Sequence, residues 1–224
     1  MIEVKNLVKA FKDGPNETRV LKSIDFAAAS GEFIAIMGRS GAGKSTLLYQ
    51  ISLLDEPTSG EIHINGKDTR GMSEREKMLF RLTEFGYVFQ DYALLPELTA
   101  LENVALPLYM QGVSRAAADA KAAAALGRVG LGKRLDNLPS QLSGGEQQRV
   151  SISRAIAHTP AVLFADEPTA NLDTESSATV MGIFKELHIG GQTIIMVTHE
   201  EEFARFAERI VKLDDGKILS DTRL

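Results

Sequence analysis

Gly38-Arg39-Ser40-Gly41-Ala42-Gly43-Lys44-Ser45-Thr46 decides how this 224-residue chain is read. It meets the pattern G-x-x-x-x-G-K-[ST] at every fixed position. Glu32-Phe33-Ile34-Ala35-Ile36-Met37 precedes it, an apolar run of the kind found in a buried parallel strand. Thr46-Leu47-Leu48-Tyr49-Gln50-Ile51 follows, with apolar residues at helical spacing. Glycine allows backbone torsions and close approach that a Cβ would block. Successive amide N–H groups can then face inward as an anion nest, above the positive end of the next helix. In such a loop Lys44 reaches the β- and γ-phosphates of a nucleotide and the Ser45 hydroxyl holds Mg²⁺. A chance glycine-rich turn is the competing reading. Four fixed positions match by accident in about one chain of this length in a hundred, and the flanking strand and helix make accident rarer.

The rest of the composition sets bounds. The length suits one domain with a substantial core, or a domain with a small subdomain. Hydrophobic residues at 44% and charged residues at 25% are ordinary for a globular protein. A net charge of −5 gives no support to nucleic-acid binding. No apolar run approaches the ~18 residues of a membrane span, and Met1-Ile2-Glu3-Val4 enters strand-like alternation at once, without a secretory signal. The absence of cysteine excludes disulfides and thiolate metal sites. A cytoplasmic protein is expected, where nucleoside triphosphate is found.

Outward from the phosphate loop, Ile2–Ala10 and Val20–Ala27 alternate as antiparallel strands, with a turn expected over Lys12-Asp13-Gly14-Pro15-Asn16-Glu17. A turn at Pro57-Thr58-Ser59-Gly60 leads to a strand at Glu61–Ile64. Ser73-x-x-Glu76 opens a charged helix to Leu82 as a capping box. Phe85–Phe89 is a strand ending at Gln90. Thr99–Gly130 reads as helices broken near Pro107 and Gly112. Its alanine-rich part, Ala116–Ala125, is expected to be a peripheral helix without a site. Ala161–Ala165 and Thr193–Val197 are short apolar runs, each followed by a helical segment as in βαβ units. Arg209–Leu213 and Lys217–Leu219 form a hairpin around Asp214-Asp215-Gly216. The expected architecture is an α/β core with N-terminal antiparallel strands and a helical insert over about residues 92–137.

Two further stretches carry chemistry. Val162-Leu163-Phe164-Ala165-Asp166-Glu167 is a buried strand ending in two acids. Ligands of open α/β sheets bind beyond the carboxyl ends of the strands, so Asp166 is placed to hold Mg²⁺ directly or through water. Strand alternation points Glu167 elsewhere, to polarise a water for attack on the γ-phosphate. Two acids also serve as a plain strand stop; the phosphate loop favours the functional reading. In Leu142-Ser143-Gly144-Gly145-Glu146-Gln147-Gln148-Arg149, Ser143 caps a helix whose first amides two glycines leave uncovered. Either this is an ordinary N-cap, or a second anion-binding helix end that meets the phosphate held by another copy.

The last motif resembles the signature of ATP-binding-cassette (ABC) ATPases, and other parts stand in matching order. Phe11 resembles the aromatic that stacks on adenine, and Gln90 the glutamine of the loop that reaches Mg²⁺ and ATP. Asp166-Glu167 resembles the Walker B end, Asn171-Leu172-Asp173 the D-loop, and His199 the switch histidine. The resemblance spans nearly the whole chain and implies one ABC ATPase domain, residues 1–224: a P-loop NTPase core with an N-terminal antiparallel β subdomain and a helical subdomain. It implies ATP and Mg²⁺ as cofactors, Glu167, His199 and Lys44 as catalytic residues, and Asp173 as coupling the two halves of a dimer. ATP would lie between Gly38–Thr46 of one copy and Ser143-Gly144-Gly145 of the other. His63, His158 and His188 have no motif around them and are expected to be surface or packing residues.

Tyr87–Pro96 and Leu98–Val104 resemble one subgroup, the ATPase subunits of lipoprotein-releasing and macrolide-export transporters and of the cell-division complex. That implies an integral membrane permease as partner, a peripheral place on the inner face of the membrane, and docking through Leu94, Leu95, Leu98 and the helix Thr99–Gln111. Alternatives within the resemblance are a non-transporting signalling complex, or an ATPase acting on DNA or ribosomes. The second is disfavoured by the lack of a coiled-coil insert or second cassette and by the acidity.

Overall fold

The computed structural model describes residues 1–14 and 16–224. They divide into two compact units, 1–79 with 191–224, and 80–190.

In the first unit β1 (Ile2–Asp13) and β2 (Asn16–Ala28) pair antiparallel, from Ile2 opposite Ala28 to Asp13 opposite Asn16. The strands run further than the sequence suggested. Lys12 and Glu17, expected in the turn, are a cross-strand pair; a polar tip can extend a ladder because its backbone pairing needs no apolar face. Pro15, part of that expected turn, lies outside the described residues. β4 (Ser59–Ile64) joins the free edge of β1, and β5 (Lys67–Asp68) pairs with β4. Ile2, Val4, Ile62 and Ile64 are buried on this sheet.

The same unit holds β3 (Phe33–Met37), buried at all five positions, parallel to β8 (Thr193–Val197) on one side and to β9 (Arg209–Asp214) on the other. Continuous apolar runs of this kind mark strands covered on both faces. Ile36 stands opposite Val197, so the chain leaves β3 at Gly38 and β8 at Thr198–His199 at one level. β10 (Lys217–Arg223) returns antiparallel to β9 through Asp215-Gly216, both at positive φ (43° and 73°), the backbone of a two-residue hairpin loop. α1 (Lys44–Ile51) follows the phosphate loop and buries Leu47, Leu48 and Ile51 completely, each worth about 1.5–3 kcal/mol. Its buried Gln50 donates to Asp55 at 2.8 Å, and Asp55 accepts from Lys9 of β1 at 2.8 Å. α2 (Glu74–Glu84) starts with the expected box: Ser73 N–H donates to Glu76 at 2.8 Å and Glu76 N–H to the Ser73 hydroxyl at 3.3 Å.

In the second unit β6 (Phe85–Val88) and β7 (Val162–Asp166) are parallel, Phe85 opposite Val162 and Val88 opposite Ala165. α3 (Ala100–Met110) does not break at Pro107. One ladder bond is lost there, but Val104, Ala105 and Leu108 are buried around it, and that packing outweighs the local cost. The break falls at Gly112, φ 80°. α4 (Arg115–Arg128) is less peripheral than expected: Ala118, Ala122, Ala125 and Leu126 are buried on one face. Small side chains bring helix backbones close, and the Ser153 hydroxyl of α5 (Gly144–Ile156) donates to the Ala125 carbonyl at 3.3 Å. α6 (Thr174–Ile189) completes this unit, and α7 (Glu201–Ala204) lies in the first. No helix among the described residues is long and apolar enough to cross a membrane.

Candidate functional site: a phosphate loop and a glycine-led helix

The phosphate loop is built from glycines whose backbones other residues rarely adopt. Gly38, Gly41 and Gly43 have φ of 159°, 77° and 97°. A Cβ on Gly38 would stand 2.3 Å from the Leu213 carbonyl oxygen, and one on Gly43 3.0 Å from that of Val20. Ala42 N–H closes a turn on the Arg39 carbonyl at 3.1 Å. Ala42 in turn accepts from Gly216 N–H at 3.2 Å, while Gly216 accepts from Lys22 N–H at 2.8 Å. The loop therefore rests on β2 and on the β9–β10 hairpin. Sequence reasoning took Gly216 only as a turn former; its close approach to Val20 has no sequence signal.

Gly43 is the N-cap of α1 and offers no side chain to the helix's first amides. Those amides, with the helix dipole behind them, suit an anion. Lys44 is buried, 7% exposed, and its ammonium donates back to the Arg39 carbonyl at 3.2 Å, so the cation is held within the loop. Ser45 and Thr46 are half-buried on the first turn, and Arg39, Ser40 and Gly41 are exposed. His199 follows β8 and is exposed; with Gly38, Arg39 and Lys212 it lines a cleft of about 590 Å³. The structure thus brings His199 to the phosphate loop. Phe11, 49% exposed on β1, has the Lys9 ammonium 5.0 Å from its ring centre. An exposed, flat aromatic is available for stacking.

In the second unit Asp166 ends β7 and is 6% exposed. Glu167 lies beyond the strand with φ 44°, so strand alternation does not set its direction as the sequence reading assumed; a left-handed turn does. Gln90 is exposed after β6. Ser143 caps α5 in a complete box: its hydroxyl accepts from Glu146 N–H at 3.2 Å and its own N–H donates to the Glu146 carboxylate at 2.9 Å. That bond, with Arg134 at 3.2 Å, holds the Glu146 carboxyl below the usual range. Gly145 is buried, and a Cβ there would stand 2.5 Å from the Ser176 hydroxyl. Asp173 caps α6, accepting from Ser176 N–H at 2.8 Å, which lowers its pKa.

Sequence reasoning gave no role to the polar residues that join these parts. The Asn171 amide donates to the Gln90 carbonyl at 3.0 Å, the buried Gln148 amide to that of Pro168 at 2.7 Å, and Arg154 to that of Tyr92 at 2.9 Å. Gln148 stood in the signature motif and Asn171 in the D-loop stretch, but their partners are distant backbone carbonyls, invisible to pattern reading. Of the unassigned histidines, His158 meets the Phe85 carbonyl at 3.1 Å and burial lowers its pKa, a packing residue as expected. His63, on β4, is 4.0 Å from Asp68. His188 ends α6.

Among the described residues no cluster of three or more His, Asp or Glu could hold a metal alone. Mg²⁺ takes one or two protein oxygens and completes its shell with phosphate and water; the Ser45 hydroxyl of the first unit and the Asp166 carboxylate of the second are each hard oxygen donors.

Comparison with known proteins bears on the family and the fold. The ABC transporter family profile matches residues 21–170. An uncharacterized ABC transporter ATP-binding protein of Methanocaldococcus jannaschii is 49% identical over 98% of both chains. The lipoprotein-releasing system ATP-binding protein of Aquifex aeolicus is 46% identical over 90% of both. A macrolide export ATP-binding/permease protein of Agrobacterium fabrum is 46% identical over all of this chain, which spans only 34% of that relative. The fold superposes on a dimeric ATP-binding cassette in a post-hydrolysis state bound to ADP and Pi with a TM-score of 0.93, at 40% identity over 100% of this chain and 99% of the other. Its fold is that of the ABC ATPases, and the chain belongs to the ABC transporter family.

Proposed function

We propose that this chain is a single ABC ATPase domain, with a helical subdomain over about residues 92–137, that binds and hydrolyses ATP as a homodimer and drives an integral membrane permease. The observation that carries this reading is the loop itself: glycines at positive φ, an N-terminus of α1 free of any side-chain cap, and a buried lysine folded into the loop. Backbone amides from Gly38 to Gly43 receive the phosphates, and Lys44 exchanges the Arg39 carbonyl for the β- and γ-phosphate oxygens. Phe11 stacks on the adenine. Ser45, Asp166 and Gln90 hold Mg²⁺, which neutralises charge on the transferring phosphoryl group when bound. Glu167 orients the attacking water and accepts its proton. His199 donates a hydrogen bond to the γ-phosphate and senses its loss.

The second half of each site comes from the other copy. In α5 the Ser143 box uses the Glu146 amide, leaving the amides of Gly144 and Gly145 for the partner's γ-phosphate. Asp173 links hydrolysis to opening of the pair. ATP favours the closed dimer through contacts that only the closed state makes. The dimeric cassette of the same fold supports this arrangement.

The likeness to lipoprotein-releasing and macrolide-export proteins supports a permease of that kind. Docking falls to Leu94, Leu95, Leu98 and α3, where Leu95 is 44% exposed and the buried Asn103 side chain shapes the preceding loop, donating to the Leu95 and Leu98 carbonyls at 3.0 and 2.9 Å. The protein then sits peripherally on the cytoplasmic face of the membrane, and nucleic acid is not a partner. The test is Glu167→Gln in size exclusion with Mg-ATP. A slowly hydrolysing dimer is expected; a monomer at high protein concentration overturns the reading.

A further inference from the structure

The signature helix carries a buried amide that the roles above leave unused. Gln148, on the second turn of α5, is 0% exposed. Its Nε2 donates to the Pro168 carbonyl at 2.7 Å and lies 3.5 Å from the Phe89 carbonyl, a longer and weaker contact. Both neighbours are acceptors, which fixes the amide's orientation, since its oxygen could not face them. Its Oε1 is buried with no hydrogen-bond partner among the described residues. An amide with an orphaned acceptor is a poor choice for packing alone, because burying an unsatisfied group costs stability that an apolar side chain of similar length would avoid.

What the amide touches gives it a purpose. Pro168 directly follows Glu167, and Phe89 directly precedes Gln90. Glu167 lies one residue past β7 and Gln90 two residues past β6, and Glu167 sits at φ 44°. A left-handed non-glycine residue is held only by its surroundings. The glutamine loop continues in the same way, with Tyr92 at 65° and Ala93 at 49°. Arg154, also on α5, donates to the carbonyls of exactly those two residues at 2.9 and 2.5 Å. Burial lowers the Arg154 pKa, with Asp91 opposing.

We propose that Gln148 is a positioning residue for hydrolysis: one side chain of the signature helix holds the backbone beside the water-orienting Glu167 and beside Gln90, so that both loops take their set from the helix whose N-terminus meets the partner's nucleotide. This rests on the proposed role of Glu167. A shift of α5 on dimer closure is then carried to both loops by one hydrogen-bonded group, without contact between Gln148 and ATP.

The test is a pH profile of Mg-ATP hydrolysis by the full chain carrying Gln148→Glu, beside Gln148→Met and the parent. A carboxylate facing the Pro168 carbonyl repels it, while a protonated carboxyl donates to it. Burial and the facing carbonyls raise that carboxyl's pKa. Turnover of Gln148→Glu relative to the parent is expected to rise at least fivefold from pH 9 to pH 6. Gln148→Met is expected to lose about 10–100-fold in kcat at all pH values, with KM for ATP within twofold. A flat ratio for Gln148→Glu together with a Gln148→Met kcat within twofold of the parent overturns the proposal. So does a joint loss of ATP binding and turnover in both variants, which assigns Gln148 to the fold alone. Where Gln148→Glu is inactive throughout, the kcat and KM of Gln148→Met decide. Glu167→Gln runs alongside: if it keeps parental turnover, the reading of Glu167 fails, whatever the Gln148 variants do.

Discussion

Two helices of this molecule begin with glycine, and they begin in opposite ways. α1 starts at Gly43, left-handed at φ 97° and without any side-chain cap. α5 starts with Ser143 and Glu146 locked in a reciprocal box on either side of Gly144 and Gly145. An N-terminus leaves four amides unpaired. α1 keeps its amides for a ligand and gathers Lys44 beside them; α5 uses the Glu146 amide itself and sets a carboxylate at its own positive end. The first is therefore a self-sufficient anion site. The second offers two glycine amides beside a negative charge and needs a phosphate delivered to it. That asymmetry fits the proposed division of labour, in which the first loop takes the nucleotide and the second completes the site of another copy.

The contrast breaks most visibly at Lys44. With Lys44→Ala the α1 site keeps its amides but loses its cation, and ATP turnover is expected to fall by 10²-fold or more, about 3 kcal/mol of transition-state stabilisation. Steady-state hydrolysis measures it. Unchanged turnover would mean that the α1 end is no more a nucleotide site than the α5 end.

Gly38→Ala tests whether the glycines of the first loop are there for space. Its Cβ would lie 2.3 Å from a backbone oxygen, which cannot swing aside, so destabilisation of about 1–3 kcal/mol is expected. Gly145→Ala would meet the Ser176 hydroxyl at 2.5 Å and the Ser176 Cβ at 2.8 Å, with ordinary helical backbone. The hydroxyl can turn away but the Cβ moves only with the α6 backbone, while alanine gains about 1 kcal/mol of helix propensity, so a net loss smaller than that of Gly38→Ala is expected. Urea unfolding of both variants compares them directly. Equal losses would show that the two glycine pairs serve the same packing purpose.

The parts legible in the sequence were those that one local stretch decides. The phosphate loop announced itself because its fixed residues, strand and helix are contiguous, and the buried runs Phe33–Met37, Val162–Asp166 and Thr193–Val197 show in composition alone. What stayed hidden depends on partners far away in the chain. Gly216 under Ala42, Gln148 under Pro168 and Arg154 under Tyr92 are contacts between segments 20 to 170 or more residues apart. Pro107 reads as a breaker because propensity is local, while the burial of Leu108 that overrides it is not. The strand-based ground for the direction of Glu167 failed for a related reason: alternation holds only inside a strand, and the strand stops one residue earlier.

At the α5 end, removing the cap isolates its share of stability. Ser143→Ala is expected to cost about 1 kcal/mol and Ser143→Gly only a few tenths, because glycine lets water reach the freed amide. Thermal unfolding at neutral pH, without nucleotide, reads the difference.

The smallest effect tests the charge in the box. Glu146 has its folded pKa depressed, first by the Ser143 N–H and then by Arg134. A depressed carboxyl contributes stability that is present above its unfolded pKa and lost as pH falls through the folded one. Glu146→Gln keeps the length and an acceptor for the Ser143 N–H but removes the charge from the helix's positive end. The parent is expected to exceed Glu146→Gln by about 0.5 kcal/mol at pH 7, and the gap should close as the pH is lowered below the ordinary carboxylate range. Urea midpoints at pH 7, 5 and 3 measure it. A gap that persists undiminished at pH 3 would mean that shape rather than charge stabilises the α5 terminus, and the contrast drawn between the two helix ends would lose its electrostatic half.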